Sequence, residues 1–397
     1  MTISTEQYFS TELLAWYRMQ KRDLPWRQNR DPYRIWVSEI MLQQTRVDTV
    51  IPYYLRFMEK FPTVRALAEA PEEEVLKCWE GLGYYSRARN LQAGARMVVE
   101  LYDGIIPDDT ASVSGLKGVG PYTTGAIMSI AFNRPEPAVD GNVMRVLSRY
   151  FCLEEDIARP ATRVGIEKLA ASLIPEGEAG DFNQALMELG ALVCTPKSPS
   201  CLPCPVMEHC AARIAGRELE LPVKTKAKPP RVELRASVIV TGQGEHEGKV
   251  LVRQRADSGL LAGMWELPHL LIPEGGKVWF PEAERERNGE VAEQLARMID
   301  EEAGVLIRPH GLRGDADHIF SHIHWKMRIY EADTGMADKV NADKVNAVEP
   351  LAAAEAPAVY NVSSPYRWIG REDMDELPFP NLFLRILNGF WEGSRQQ

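Results

Sequence analysis

Apolar side chains return every third or fourth position through Pro32-Y-R-I-W-V-S-E-I-M-L-Q-Q-T-R-V-D-T-V-I-P-Y-Y-L-R-F-M-E-K-Phe61. That is the period of helices that bury a face, and it predicts helices separated by proline-bounded turns. Similar stretches continue to about Ile214. The texture then changes. Arg217-E-L-E-L-P-V-K-T-K-A-K-P-P-Arg231 is basic, bears prolines and has few large apolar groups, the composition of a linker. Beyond it, Leu234-R-A-S-V-I-V-T-G-Q-G-E-H-E-G-K-V-L-V-R-Q-Arg255 reads as two strands around a glycine-bearing hairpin. The pattern predicts a helical domain over 1–216, a linker over 217–231 and an α+β domain over 232–397. The repeated A-D-K-V-N within 337–346 reads as a surface loop.

A chain of 397 residues accommodates two or three domains of ordinary size. No window approaches about 18 uninterrupted apolar residues, so no membrane span is expected. The opening M-T-I-S-T-E-Q-Y-F-S lacks the basic stretch and apolar run of a secretory signal. The expectation is a cytoplasmic protein without a disulfide framework. The net charge of −10 argues at first sight against a nucleic-acid partner, but −8 of it falls on residues 229–397. Local patches rather than net charge decide phosphate binding.

Four of the six cysteines lie between residues 194 and 210, as Cys194-x6-Cys201-x2-Cys204-x5-Cys210. In a chain without disulfides, clustered thiols point to metal binding or redox chemistry. Four thiolates can hold a tetrahedral zinc or the four irons of a cluster. Zinc loops more often use two C-x2-C pairs, and this loop has one. Cys78 and Cys152 stand alone and are expected to be buried apolar fillers. Lys197 and Arg213, close to the loop, offer positive charge to a phosphate.

Leu116-K-G-V-G-P-Y-Thr123 is a tight turn opening a helix. Gly118 and Gly120 let a phosphate approach the backbone, and the helix start favours an anion, although an ordinary helix–turn–helix contact would look the same. Ala138-V-D-G-N-Val143 follows, with Asp140 and Asn142. A second carboxylate, Glu39, sits in a helix apolar on nearly every face. One reading pairs it with a buried arginine such as Arg27 or Arg46. The other lets burial raise its pKa so that it holds a proton near neutrality, while Asp140 stays ionised. Two carboxylates with separated pKa values suit cleavage of a glycosidic bond: one protonates the leaving group, the other stabilises an oxocarbenium ion.

The cysteine spacing resembles the [4Fe–4S] loop of the endonuclease III superfamily of DNA repair glycosylases, which also pairs a helix-hairpin-helix with a following aspartate. The strings Trp36-V-S-E-I-M-L-Q-Q-T-R-Val47, Gly81-L-G-Y-Y-S-R-A-R-Asn90 and Val139-D-G-N-V-M-R-Val146 resemble the adenine DNA glycosylases of the MutY family. The resemblance covers the first 215 residues and, more weakly, the rest. It implies an all-α helix-hairpin-helix glycosylase domain with a [4Fe–4S] cluster on Cys194, Cys201, Cys204 and Cys210, followed by an α+β Nudix-like domain. It implies that Glu39 protonates adenine and that Asp140 stabilises the sugar cation, supported by Tyr122 and Asn142. Arg27 and Gln184 would line the adenine pocket. Gln44 and Tyr84 would wedge into a duplex carrying adenine opposite 8-oxoguanine or guanine, and a monomer is expected. Bifunctional relatives carry a nucleophilic lysine where this chain has Tyr122. Tyrosine forms no Schiff base, so a monofunctional enzyme is implied.

In the second half, Gly259-L-L-A-G-M-W-E-L-Pro268 resembles a Nudix strand entry. Arg297-M-I-D-E-E-A-G-Val305 resembles a remnant of the Nudix box, or equally an ordinary helix end closed by Gly304. Met298 stands where the box has a glutamate, which disfavours metal-dependent nucleotide hydrolysis and leaves a binding module. Phe320, Ser321 and His322, within His318-I-F-S-H-I-H-Trp325, resemble the family's loop that contacts 8-oxoguanine. The three histidines there have no cysteine or carboxylate among them, which disfavours zinc.

Overall fold

The computed structural model describes residues 4–226, 228–272, 284–335 and 365–393, with the side chains of 284–288 left aside; the 337–346 repeat lies outside them. The chain divides into two compact units, Met1–Ala227 and Lys228–Gln397. The first is all-helical among its described residues, and the second is built on a mixed sheet.

In the helical unit, Asp31 caps the helix Pro32–Leu42, its carboxylate accepting from the Tyr33 N–H at 2.8 Å, and Pro32 supplies a preset first turn. Tyr33 and every residue from Ile35 to Met41 are buried. The helix is thus central, as its all-round apolar sequence predicts. It packs against Pro121–Phe132. A side chain at Gly125 of that second helix would meet the Pro137 carbonyl at 2.0 Å, so glycine permits the close approach. A separate core joins the helices Thr5–Gln20, Gly141–Tyr150 and Ala179–Leu192 through Phe9, Leu13, Val143, Leu147, Phe182 and Leu186. A serine-capped first turn, with Ser4 and Gln7 bonding each other's backbone N–H, starts the first of these.

The basic segment after Ile214 is not a free linker over its whole length. Leu221 is buried and its carbonyl accepts from Arg149 Nε at 2.9 Å. The Ile157 N–H donates to the Val223 carbonyl at 3.0 Å, and Thr225 binds Asp156. Its prolines and lysines hide one apolar anchor and several backbone partners on the helical unit. Cys78 and Cys152 are half-buried, not fully buried fillers.

In the second unit the strands are β1 (Arg231–Thr241), β2 (Val250–Gln254), β3 (Trp265–Glu266), β4 (His269–Leu271), β5 (Ile307–Ile319), β6 (Ile323–Thr334) and β7 (Tyr366–Ile369). Their order is β3-β2-β1-β6-β5, with β4 also on β1 and β7 on β2. The predicted hairpin exists, since β1 and β2 pair antiparallel. The long partner of β1 is instead β6, in parallel, from Arg231↔Ile323 to Thr241↔Asp333. The helix Glu284–Ala303 covers this sheet with Leu295 and Ile299 against Val238, Val240 and Ala332. Its Glu302, within the Nudix-like remnant, is tied to Arg253 at 3.1 Å and accepts from the Tyr366 hydroxyl.

Candidate active site

A cavity of about 570 Å³ in the helical unit is lined by Arg27, Glu39, Gln44, Tyr122, Asp140, Asn142 and Gln184, seven of the residues singled out in the sequence. Glu39 projects from the central helix and is buried. Its carboxylate accepts a hydrogen bond from the Tyr122 hydroxyl. Among the described residues it has no ion pair with Arg27 or Arg46. Burial is the largest influence on its titration and pushes the pKa up to about 7; the Tyr122 bond opposes this, the Asp140 charge adds to it, and Arg27 opposes it. Burial likewise holds the Tyr122 hydroxyl well above its ordinary value, so it remains a donor.

Asp140 arrives by a different route. It is the N-cap of Gly141–Tyr150, accepting from the Val143 N–H at 2.8 Å and from the Asn142 amide at 2.8 Å. Burial raises its pKa above the ordinary aspartate value, a direction that its capping position alone does not predict. The Val143 N–H, the Asn142 side chain and backbone, and the Arg145 charge pull the other way. Arg145 donates to Asn142 Oδ1 at 2.8 Å and to the Cys194 carbonyl at 2.8 Å. One turn further on, Arg149 donates to Cys194 Sγ at 3.3 Å. One helix therefore carries the capping carboxylate at its start and, along one face, the two arginines that grip the cysteine loop.

The third acid of the cavity, Glu188, was not singled out in the sequence. It is buried and receives both Arg22 and Arg27, with closest contacts of 2.8 and 2.9 Å. Burial would raise its pKa, but the bonds and charges of the two arginines outweigh it and bring it down to about 2. Arg27 lines the cavity as its motif implies, yet its guanidinium is committed to Glu188. The signal was present: Ala185-L-M-E-L-G-A-Leu192 places a glutamate in an apolar helix, as around Glu39.

At the mouth, Gln44 is exposed and left-handed, at φ 57°. Tyr84 lies outside the cavity lining, 44% exposed and left-handed at φ 47°. Gln184 bonds the Gly180 carbonyl from one turn below. Of the two hairpin glycines, Gly118 takes φ +78° and sits where a side chain would strike Asn90, so glycine is required there. Gly120 faces open space and caps the helix Pro121–Phe132 without a side-chain bond.

Cys194, Cys201, Cys204 and Cys210 line one further cavity, with Arg149, Arg213 and Glu218 around it. Burial and the neighbouring thiols push Cys204 up to about 12. Among the described residues no three His, Cys, Asp or Glu side chains are grouped to hold a metal ion. The donor set fits an iron–sulfur cluster, which takes one thiolate per iron and spreads its ligands wider than a single ion does.

In the second unit, Phe320-Ser321-His322 forms the tip of the β5–β6 hairpin. Ser321 Oγ and His322 Nδ1 lie 3.1 Å apart, both exposed, and Phe320 packs edge-on to Trp325. His318 and His324 stand on opposite strands, and His324 is held by Asp317 at 2.9 Å.

A family profile for HhH-GPD superfamily base excision DNA repair proteins matches residues 37–175, and a NUDIX domain profile matches 239–389. The chain is 39% identical over 370 residues to an adenine DNA glycosylase of Mus musculus, covering 81% of this chain and 70% of that one. To the adenine DNA glycosylase of Schizosaccharomyces pombe it is 35% identical over 386 residues, covering 82% and 81%. Among solved structures, a trapped endonuclease III–DNA covalent intermediate aligns at 26% identity with a TM-score of 0.47, over 54% of this chain and 99% of that one. The identity to the Mus musculus and Schizosaccharomyces pombe proteins, over 81% and 82% of this chain, shows that it belongs to the adenine DNA glycosylase family.

Proposed function

We propose that this chain is a monofunctional DNA glycosylase that hydrolyses the N-glycosidic bond of adenine mispaired with 8-oxoguanine, and also with guanine. The observation that carries the reading is Glu39: a buried carboxyl with a pKa of about 7, bonded to Tyr122 and sharing a cavity with Asp140. A carboxyl poised at neutrality can give a proton to a leaving base. Asp140, held by the Val143 N–H and Asn142, presents negative charge to the sugar as positive charge develops, where preorganised electrostatics count most. Arg27 lies beside the leaving base with its charge balanced by Glu188, so it shapes the pocket without stripping the proton from Glu39.

Duplex DNA is the partner. Gln44 and Tyr84 enter it beside the flipped nucleotide, and the turn Gly118–Gly120 receives its backbone through the open N-terminus of the helix Pro121–Phe132. Ser321 and His322 read the 8-oxoguanine. The chain acts as a monomer. Cys194, Cys201, Cys204 and Cys210 would hold a [4Fe–4S] cluster, which when bound ties the 194–210 loop together and supplies no bond-breaking chemistry. Tyr122 occupies the position of the lysine nucleophile, so no imine with the sugar forms.

The test is single-turnover cleavage of end-labelled duplexes containing A:8-oxoguanine or A:G. The expected product is an abasic site that yields strand breaks only after alkali or heat. Efficient scission at neutral pH without treatment would contradict the monofunctional reading, and an intact adenine would contradict the activity.

A further inference from the structure

Arg87 stands in the first turn of the helix Ser86–Tyr102 and makes no ion pair with a described carboxylate. Its guanidinium is spent on the backbone. Nη1 donates to the carbonyls of Ile40 at 2.8 Å, Met41 at 3.1 Å and Gln43. Nη2 donates to the carbonyls of Leu82 at 3.4 Å and Gly83 at 3.2 Å, and to the Thr45 hydroxyl at 3.5 Å. Nε is buried without a partner.

The acceptors fall into two groups. Ile40 and Met41 are at the C-terminal end of the Glu39 helix, whose last carbonyls have no intrahelical donor and carry the negative end of its dipole. With Gln43 and Thr45 they flank Gln44. Leu82 and Gly83 form the turn that leads into Tyr84. That turn is also gripped by Trp79, whose indole N–H donates to Gly83 at 3.2 Å. The guanidinium lies 5.5 Å from the ring centroids of both Trp79 and Tyr84. The two segments so joined carry Gln44 and Tyr84, two non-glycine residues in the left-handed region. Such backbones persist where surrounding contacts over-determine them, and they cluster at ligand clamps.

We propose that Arg87 is a positioning residue that clamps the Gln43–Thr45 turn to the Leu82–Tyr84 turn, so that Gln44 and Tyr84 enter the duplex as one rigid wedge registered to the helix of Glu39. The inference rests on the glycosylase reading above. Arginine alone can bridge the two turns in this way, because its planar fork serves both groups of carbonyls at once, whereas a lysine ammonium is a single point with three donors.

The experiment uses the full iron-loaded chain and a duplex with 2-aminopurine in the adenine position opposite 8-oxoguanine. Fluorescence of the unstacked base reports extrusion separately from chemistry. Arg87→Lys should lower the extrusion rate and the single-turnover excision rate at saturating enzyme by roughly tenfold each, the scale of losing charge-assisted bonds. The pH at which excision declines should not move, because Glu39 is untouched, and iron content and thermal unfolding should match the parent. In a Gln44→Ala, Tyr84→Ala background the same substitution should cost less than about twofold, because a clamp without a wedge has nothing to hold. A full tenfold loss in that background overturns the proposal, as do parental extrusion rates in the single variant. An Arg87→Lys protein that loses iron or melts early makes the residue a fold element and overturns it as well. Failure of the parent chain to excise adenine at all would instead sink the functional reading, and the fluorescence cycle would still read the clamp.

Discussion

Glu39 and Glu188 are two buried glutamates on apolar helices, both lining one cavity, and they titrate in opposite directions. Glu39 meets a hydroxyl and stands near another carboxylate, and its pKa rises to about 7. Glu188 meets two arginines, and its pKa falls to about 2. Burial penalises the charge in each; the partners decide the outcome. The pair shows how one pocket keeps an acid and a fixed anion within reach of each other. It also shows why Arg27 can sit beside the acid without ionising it: most of its field is spent on Glu188.

The largest effect should come from removing the acid. Glu39→Gln should abolish adenine excision while duplex binding survives, and Asp140→Asn should lower the rate by at least about two orders of magnitude, the scale for losing a preorganised electrostatic stabiliser. Single-turnover rates with parallel binding isotherms check both; near-parental rates in either variant would remove the two-carboxylate mechanism.

Breaking the other half of the pair should hurt the fold first. Glu188→Gln leaves Arg22 and Arg27 without their counter-charge, and loss of one partner of a buried pair costs about 3–5 kcal/mol. Denaturant unfolding at pH 7 measures it. The freed charge of Arg27 should also pull the Glu39 pKa down, moving the decline of activity toward acid pH. An unmoved profile would show that Arg27 does not act on Glu39.

Stability should carry the same signature. The folded-state pKa of Glu39, about 7, lies above its ordinary 4.5, so keeping it buried grows more costly as pH rises from 4.5 to 7 and is constant beyond. Glu39→Gln should therefore be more stable than the parent by about 3 kcal/mol at pH 8, with the gain vanishing below pH 4.5. Glu188 has the opposite sign: its contribution is complete above 4.5 and is lost as pH falls toward 2.

What was legible in the sequence follows from this contrast. An all-round apolar helix with one acid announced Glu39, and a turn followed by Asp-Gly-Asn announced Asp140, because local pattern sets burial and capping. The four cysteines drew notice by their spacing, and the fold brings all four to the lining of one cavity. The ion pair of Arg27 was not, because Glu188 lies 161 positions away and only the packing of the helix Ala179–Leu192 brings it there. Arg87 was hidden for a related reason: apart from the Thr45 hydroxyl, its partners are backbone carbonyls, which leave no mark on composition. Similarly, β1 read as half of a hairpin, while its long partner β6 begins 92 residues later. The basic stretch after Ile214 read as linker because its one anchor, Leu221, is a single residue.

A smaller effect belongs to an exposed polar pair, Ser321 and His322, which bond each other at the hairpin tip. 8-Oxoguanine offers an N7–H donor and an O8 acceptor that guanine lacks, and a hydroxyl can serve both. Replacing both residues by alanine should weaken preference for A:8-oxoguanine over A:G by roughly 1–3 kcal/mol, the scale of one good base contact. Equal losses on both mispairs would reduce the two side chains to braces for the loop.

Glu39 is expected to work as a proton donor because burial without a cation of its own holds it near neutrality. The direct measurement is the single-turnover rate of adenine excision from an A:8-oxoguanine duplex between pH 5 and 9, at saturating enzyme. The rate should be level below about pH 7 and fall about tenfold per pH unit above it as Glu39 loses its proton. A rate that stays level, or rises, to pH 9 would rule out Glu39 as the proton donor.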